Sequence, residues 1–134
     1  MGFALDLAGK YSADVVLISV IPPFVAPMAS YLTAGPTPVH LVAMDTYSRR
    51  LRKDYQRLLS EALKDAKKLK PGLKVSTMLE EGRPSDKIIE TARTGNFDII
   101  VMGSGGLGSI KEFFLGSVSD RVADEAPCPV LIVR

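Results

Sequence analysis

Hydrophobic and polar residues follow two spacings along the chain, and these spacings predict strands alternating with helices. Val15–Ile21 is an apolar, β-branched run interrupted only by Ser19, as expected of a strand that is covered on both faces in a parallel sheet. Residues 97–102, apolar apart from Asp98, and Val130–Val133 are further runs of this kind. Residues 73–80 alternate between apolar and polar side chains, which predicts a half-exposed strand at the edge of a sheet.

Helical spacing occupies the segments between these strands. Apolar residues predict a helix over residues 1–10, although no Ser, Thr, Asp or Asn precedes it as a cap. Residues 39–69 are expected to form a long helix, because one apolar stripe recurs at intervals of three and four: Leu51, Tyr55, Leu58, Ala62, Ala66 and Leu69. Two shorter helices follow, over residues 84–94 and about Ser117–Glu125. The alternation predicts a single α/β domain, residues 1–134, with an open parallel sheet and helices on both faces.

The segment between the first strand and the long helix predicts irregular structure. Five of the nine prolines lie in residues 22–38, at positions 22, 23, 27, 36 and 38. Each proline lacks a backbone donor and restricts the residue before it, so we expect one long loop. Loops of this length can be binding elements or tolerated surface insertions, and both interpretations are open.

Composition limits the classes of function. The 134 residues are 46% apolar and 24% charged, which is typical of one globular domain, and a net charge of +2 does not favour nucleic acid as a general partner. One cysteine and one histidine exclude an internal disulfide and a Cys/His zinc site. Because no apolar run could span a membrane and residues 1–10 have no leader pattern, we expect a cytoplasmic protein without membrane contact.

Positive charge is concentrated on the long helix. Residues 49–70 contain nine basic and three acidic residues, a charge of +6, while the rest of the chain has eight basic and twelve acidic residues, a charge of −4. A basic helix can contact nucleic acid or an acidic protein. Since no aromatic platform or nucleic-acid motif accompanies the charge, we favour a solvated helix face.

A glycine-rich turn follows the apolar run at residues 97–102. Gly103 to Gly108 spells G-x-G-x-x-G, but the dinucleotide-binding pattern belongs after the first strand of its fold and needs an acidic residue at the end of the next strand. A Walker A loop is excluded, because no Lys-Ser or Lys-Thr follows the last glycine. Glycines after a buried strand, with Gly116 and Ser117 opening a helix, favour binding of phosphate. The alternative is a plain turn with Ser117 only as a helix cap.

Gly103, Gly106 and Gly116 with Ser117 are separated by two and nine residues. This spacing resembles the Gly-2x-Gly-9x-Gly-Ser/Thr motif of the universal stress protein (UspA-like) family. Segments 98–104, 115–119 and 126–133 also agree with the family, as do 4–8 and 16–21, so the resemblance covers nearly the whole chain. It implies a Rossmann-like fold similar to that of adenine nucleotide alpha hydrolases, and an ATP-binding regulatory module of the stress response.

Carried over by position, the resemblance implies where the nucleotide binds. The phosphates and ribose would be lined by Met102, Gly103, Gly106, Gly116, Ser117, Val118 and Ser119, and Val20 would lie near the adenine. The implied ligand is ATP, with Mg²⁺ as its accompanying ion. The glycines at 106 and 116 favour the nucleotide-binding branch of the family. The alternative is a homodimeric interaction or scaffold protein of the same fold that binds no nucleotide.

The resemblance also implies a strand that is not found here. Members of the family start with a strand and a loop containing an Asp-Gly-Ser-like segment, whereas residues 1–10 resemble the helix that follows. The absent strand would lie between residues 15–21 and 97–102, and the absent aspartate helps to hold the adenine. Unpaired groups on two buried strands would cost about 1–3 kcal/mol each. Either the sheet closes differently, another chain supplies a strand, or the sequence is part of a longer protein.

No catalytic set can be assembled from the sequence. Ser117 and Ser119 lack a general base, because His40 is the only histidine, and no carboxylate pair or metal cluster is evident. We expect a binding protein and not an enzyme, with any slow ATP hydrolysis incidental. His40 is interpreted as a surface residue, and Cys128 as a packed thiol without a redox role.

The closing strand predicts self-association. Val130–Val133 is wholly apolar and, as the final strand, would present an unpaired backbone edge. Pairing of this edge with its copy about a two-fold axis would give a homodimer, which the resemblance also implies. The alternative is an edge covered by a loop of the same chain.

Overall fold

The computed structural model describes residues 1–23, 35, 38–105 and 116–134, with the backbone alone for 38–40. Helices and strands alternate as predicted: α1 (Gly2–Tyr11), β1 (Val15–Ile21), α2 (Pro38–Leu69), β2 (Val75–Glu81), α3 (Pro84–Thr94), β3 (Ile100–Gly103), α4 (Ser117–Glu125) and β4 (Val130–Val133). The predicted bounds of β1, α4 and β4 are confirmed. Most of the proline-rich loop, and residues 106–115, lie outside the described residues.

Two strands begin later than predicted, because a turn occupies their first residues. The N–H of Phe97 donates to the carbonyl oxygen of Ala92 at 3.0 Å, and Asn96 has a φ of 49°, so β3 begins at Ile100. The N–H of Leu73 likewise donates to the carbonyl oxygen of Lys70 at 3.1 Å. The turn that follows α2 therefore includes Leu73, and β2 begins at Val75.

The described strands pair in two separate parallel sheets. β1 pairs with β2 from Val15 opposite Val75 to Ile21 opposite Glu81, and β3 pairs with β4 from Ile100 opposite Val130. The predicted class, parallel strands with helices, is confirmed, but the single open sheet is divided between β1 and β3. The prediction that β1 is covered throughout was also wrong, since only Ile21 is buried and the rest of the strand is half-buried.

Helix contacts determine how the two sheets are arranged. α2 contacts β1 and β2, while α3 contacts both of these strands and packs against α4, which contacts β4. The two helices α3 and α4 therefore link the β1–β2 sheet to the β3–β4 sheet.

The main apolar cluster lies between α1, α2 and the β1–β2 sheet. Its buried members are Leu5, Ala66 and Val75. The buried stripe of α2 runs through Leu59, which is 9% exposed, and not through the predicted Leu58, which is 59% exposed. At 100° per residue Leu59 is about 20° from the direction of Ala66, whereas Leu58 is about 80° away. Leu69 was also wrongly placed in the stripe and is exposed.

Candidate functional site

The end of β3 and the beginning of α4 meet at Ser104. Its N–H donates to the carbonyl oxygen of Val133 at 3.0 Å, which extends the β3–β4 ladder beyond Gly103. Its carbonyl oxygen accepts the N–H of Gly116 at 2.8 Å, directly before α4 begins. These bonds place residues 103–105 beside residues 116–119, and we call the two segments together the glycine edge.

Ser119 strengthens this junction from inside the protein. Its side chain is only 3% exposed. Its Oγ lies 3.1 Å from the carbonyl oxygen of Ser104 and 2.9 Å from that of Gly116, and it can donate its proton to either. The Ser119 hydroxyl therefore holds the first turn of α4 against the end of β3. Ser117 was predicted as a possible helix cap, but no side chain caps α4 in the described structure.

The first turn of α4 presents a row of backbone donors. The N–H of Asp120 is the first in the helical ladder and donates to the carbonyl oxygen of Gly116 at 2.9 Å. The N–H groups of Ser117, Val118 and Ser119 precede it and have no acceptor within the helix. No other described residue accepts a hydrogen bond from them. These donors, with the positive end of the helix dipole, suit an anion.

Gly103 and Gly105 leave the backbone accessible at the glycine edge. A Cβ atom built on either residue would meet no described atom within 4 Å. Among the described residues, therefore, no side chain stands between a ligand and the main chain at these two glycines. The space and the row of donors together make the glycine edge a candidate anion-binding surface.

The only arginine of α4 stabilises the helix layer and does not point to this surface. Arg121 Nη1 lies 2.9 Å from a carboxylate oxygen of Asp86 on α3, and its Nε lies 2.9 Å from Glu125. The hydrogen bond from Arg121 lowers the pKa of Glu125, and the charge of Arg121 acts in the same direction. Arg121 therefore joins α4 to α3, and the anion-binding capacity of the edge comes from backbone groups.

The structure brings most of the predicted site residues together. Around Ser104 lie Gly103, Gly116, Ser117, Val118 and Ser119, while Met102 is half-buried one residue earlier in β3. Gly106 lies outside the described residues. Sequence reasoning did not assign a role to Ser104 or to the Asp86–Arg121 pair. Ser104 could have been found from its place directly after Gly103, but the ion pair depends on helix packing, which no sequence motif signals.

Val20, the residue predicted to lie near the adenine, has free backbone groups. The N–H of Val15 donates to β2 and the carbonyl oxygen of Ile21 accepts from β2. In a parallel ladder every second residue bonds to the same neighbour, so both backbone groups of Val20 point away from β2. Within the ranges the structure covers, no hydrogen bond engages them. Val20 thus offers one donor and one acceptor near the carboxyl end of β1.

The described part of the chain offers little for metal binding or for thiol chemistry. No group of three or more His, Cys, Asp or Glu side chains is placed there to hold a metal ion. Cys128 is half-buried, and burial, followed by the negative charge of Asp98, raises the pKa of its thiol. A raised pKa disfavours the reactive thiolate, in agreement with a packed thiol. The side chain of His40 is outside the described structure.

A groove of about 750 Å³ lies elsewhere, at the amino-terminal ends of β1 and β2. Two ion pairs border it, Lys70 with Asp6 and Lys74 with Asp14. The hydrogen bond from Lys70 lowers the pKa of Asp6, and the hydrogen bond to Asp14 raises the pKa of Lys74. Lys10 also lines the groove, which contains none of the motif residues of the glycine edge. No helix in the described ranges is long and apolar enough to cross a membrane.

Sequence comparison relates the chain to one protein family. The profile of the Universal stress protein family matches residues 1–134. The chain is 34% identical over 133 residues to universal stress protein MJ0531 of Methanocaldococcus jannaschii, covering 98% of this chain and 71% of that protein. It is 30% identical over 131 residues to universal stress protein YxiE of Bacillus subtilis, covering 98% and 86%.

Solved structures give the same relationship at the level of the fold. The M. jannaschii protein MJ0577 superposes with a TM-score of 0.67 at 26% identity, covering 98% of this chain and 85% of its own. A universal stress protein in complex with cAMP has a TM-score of 0.62 at 23% identity, covering 99% and 82%. An Arabidopsis thaliana family member with AMP bound has a TM-score of 0.61 at 20% identity, covering 97% and 74%. The two identities below 25% establish the common fold alone. The match over the full length shows that this chain belongs to the universal stress protein family.

Proposed function

We propose that the chain binds an adenine nucleotide, ATP foremost, at the glycine edge, and acts as a nucleotide-responsive regulatory module in stress response. The observation that carries the proposal is the row of unengaged N–H groups on Ser117, Val118 and Ser119 beside the open backbone at Gly103 and Gly105. Phosphate oxygens accept hydrogen bonds from such donors, and the helix dipole favours their negative charge. The motif residue Gly116 is the N-cap of this helix.

We propose that the adenine base of the nucleotide contacts Val20. Adenine carries one amino donor beside ring-nitrogen acceptors, and a strand residue with a free N–H and a free carbonyl oxygen can pair with that edge. Val20 has both groups directed away from β2. Two proteins of the same fold carry cAMP and AMP, so the fold accommodates adenine nucleotides. For this chain the support comes from its own donors.

The described residues fit Mg²⁺ only as a companion of the nucleotide. They hold no cluster of three carboxylate, His or Cys side chains. Mg²⁺ is commonly held by substrate phosphates and water with one or two protein ligands, so the phosphates would supply most of its coordination. We therefore assign no resident metal site to the described residues, and we propose binding without catalysis.

Calorimetric titration with MgATP tests the proposal. We expect saturable binding by the unaltered protein and a loss of about tenfold or more in affinity, about 1.4 kcal/mol, for Gly103→Val and Gly105→Val. Neither new Cβ meets a described atom within 4 Å, so the fold should tolerate both changes while their side chains occupy ligand space. Gly9→Val is the matched control, because its Cβ also enters open space but lies on α1. No saturable binding by the unaltered protein would refute the proposal.

The assembly that we propose is a homodimer formed through β4. This strand pairs with β3 on one side, and all four of its residues are half-buried. The ladder directs the backbone groups of Val130 and Ile132 away from β3, so two copies of this edge could pair about a two-fold axis. Light scattering should give twice the chain mass of 14.5 kDa, and Ile132→Lys should reduce it to one chain. A single-chain mass for the unaltered protein would contradict the dimer.

A homodimer without nucleotide is the alternative function. The half-exposed β4 favours it, because that edge offers an interaction surface independent of the glycine edge. It predicts the dimer mass together with no response to MgATP. The two measurements above therefore separate the alternatives.

A further inference from the structure

A stripe of five apolar residues on α2 lies beside the core and is only partly covered. Its members recur at intervals of four, three, four and seven residues: Leu51, Tyr55, Leu58, Ala62 and Leu69. Leu58 and Leu69 are each 59% exposed, and the other three are half-buried. The core is instead reached by Leu59 and Ala66, on the adjoining side of the helix. We call the five residues of the stripe the α2 seam.

The α2 seam is on the flank of α2 that faces away from α1. At about 100° per residue, Leu58 points about 80° to one side of the buried Ala66, whereas Lys70 points about 40° to the other side. Lys70 Nζ lies 2.8 Å from a carboxylate oxygen of Asp6 on α1, so α1 borders the side opposite the seam. The exposure of Leu58 and Leu69 leaves the seam open to a partner.

The alternation of four and three residues is the spacing by which two helices interlock their side chains. It averages about 3.5 residues, the repeat of apolar positions in a coiled coil. Asp65 occupies the position between Ala62 and Leu69 at which this repeat would place another apolar residue. From Leu51 to Leu69 the helix axis rises about 27 Å, which is about five turns. The seam therefore has the form and the length of a surface for one further helix.

A row of carboxylates borders the α2 seam on its solvent side: Asp54, Glu61 and Asp65, which we call the acidic row. At about 100° per residue, these residues point about 20–60° beyond Leu58, away from the core. All three are exposed. Glu61 and Asp65 form no ion pair within the part of the chain that the structure describes, and Asp54 is paired there with Arg57 alone, at 3.4 Å. Their negative charge is therefore available to a partner.

The positive charge of α2 lies further round the helix. Lys53, Lys64 and Lys68 point about 140–160° from Ala66, which is close to the direction opposite the core. The acidic row lies between these lysines and the α2 seam. It is therefore the charge nearest to a ligand that is bound at the seam.

The acidic row determines which partner fits the seam. Pairing with a second copy about a two-fold axis would place the same surface on both sides of the contact. The acidic rows of the two copies would then meet, and like charges across an interface are unfavourable. In helix pairs, the charges that flank the apolar positions select the partner. A helix with positive flanking residues would pair with the acidic row, whereas a second copy of α2 would be repelled by it.

We propose that the α2 seam binds an amphipathic helix of a different protein, with an apolar stripe of alternating four- and three-residue spacing and with lysine or arginine on its flank. The apolar stripe would cover Leu58 and Leu69, and the positive flank would face Glu61 and Asp65. This docking surface is independent of the proposed nucleotide site at the glycine edge. It is also separate from the β4 edge that is proposed to form the homodimer.

An NMR titration of the 134-residue protein with a synthetic helical peptide tests the proposal. The probe has about three heptads, with leucine at the first and fourth positions of each, lysine at the positions flanking them and alanine elsewhere. We expect saturable shifts of the methyl signals of Leu51, Leu58 and Leu69, with the amide signals of Ser117 and Val118 unchanged. The same peptide with glutamate in place of lysine is the control and should bind at least about tenfold more weakly. Absence of saturable shifts with the lysine peptide, or equal affinity for the two peptides, would overturn the proposal.

A matched pair of leucine variants locates the contact on the helix. Leu58→Ala should lower the affinity for the lysine peptide by about tenfold, and the fold should tolerate it because the side chain is exposed. Leu41→Ala is the control, since Leu41 is 55% exposed on the same helix but lies outside the seam. Its affinity for the peptide should equal that of the unaltered protein. Equal affinities in the two variants would contradict binding at the seam.

Charge reversal tests the role of the acidic row. Glu61→Lys should weaken binding of the lysine peptide by about tenfold and strengthen binding of the glutamate peptide. Asp124→Lys makes the same change at an exposed position of α4 and should alter neither affinity. An unchanged preference in Glu61→Lys would exclude a positive helix as the partner.

Light scattering distinguishes a second copy as the occupant of the seam. In the Ile132→Lys variant, which lacks the proposed β4 contact, we expect the mass of one chain at all concentrations. A mass of two chains that falls to one when Leu58→Lys is added would assign the seam to a second copy and overturn the proposal.

Discussion

Ser119→Ala should destabilise the protein by detaching the first turn of α4 from the end of β3. The hydroxyl is buried, and it can donate to the carbonyl oxygen of Ser104 at 3.1 Å or of Gly116 at 2.9 Å. Both carbonyl oxygens keep another hydrogen-bond donor after the substitution. The oxygen of Ser104 accepts the N–H of Gly116, and the oxygen of Gly116 accepts the N–H of Asp120. The substitution therefore removes one hydrogen bond without leaving an unsatisfied buried group.

The expected loss of stability follows from the removal of this one hydrogen bond. A hydrogen bond whose acceptors remain paired contributes about 0.5–1.5 kcal/mol net, and the smaller side chain leaves too little space to add a large cavity cost. We expect a free energy of unfolding about 1 kcal/mol lower. For a domain of this size the melting temperature should fall by about 4 °C, and the urea midpoint by about 0.5–1 M.

Urea unfolding followed by circular dichroism measures the effect, with Ser117→Ala as the matched control. Ser117 is the exposed first residue of the same helix, and its side chain makes no capping hydrogen bond. Its replacement should change the free energy by no more than about 0.5 kcal/mol. Equal losses in the two variants, or a larger loss for Ser117→Ala, would refute this role for Ser119.

Three further predictions concern other parts of the molecule. Leu59→Ala should lower the free energy of unfolding, measured in urea, by about 2–4 kcal/mol, and Leu58→Ala by no more than about 0.5 kcal/mol, because only Leu59 is buried. Similar losses in the two variants would contradict the observed helix face. At neutral pH, Cys128 should react with a disulfide reagent more slowly in the folded protein than in the urea-unfolded protein, because burial raises the pKa of its thiol. Equal reaction rates would show an accessible thiolate. The hydrogen bond to Arg121 is the first cause of the lowered pKa of Glu125. Ionised Glu125 should therefore stabilise the folded protein above its ordinary pKa of 4.5, and this stability should be lost as the pH falls through the pKa of Glu125 in the folded state. Glu125→Gln should therefore reduce the fall in the urea midpoint between about pH 6 and pH 3, and an unchanged fall would exclude Glu125 as a contributor.

Local sequence patterns predicted the elements well because local physics determines them. The β-branched run at Val15–Ile21 and the apolar run at Val130–Val133 became strands with the predicted bounds. Leu58 was assigned to the wrong side of α2, because intervals of three and four both fit a helical stripe until tertiary contacts select one. The late start of β3 depended on Asn96 in a positive-φ turn, which the apolar run concealed.

Long-range features were beyond the sequence patterns. The glycine spacing indicated a candidate segment, but the hydrogen bonds by which Ser104 and Ser119 join β3 to α4 depend on where α4 returns to β3. The Asp86–Arg121 pair joins two helices whose contact no motif specifies. The division of the strands into two sheets is a property of pairing, and the apolar content of β1 and β3 predicted only that each would be a strand.

An NMR titration with MgATP is the most direct test of nucleotide binding at the glycine edge. We expect saturable shifts of the amide signals of Ser117, Val118 and Ser119, whose N–H groups have no acceptor among the described residues. The amide signal of Val20 should saturate at the same ligand concentration, and signals from the groove at Lys70 and Lys74 should remain unchanged. Unshifted signals across residues 117–119 at millimolar MgATP, or shifts confined to the groove, would contradict the account.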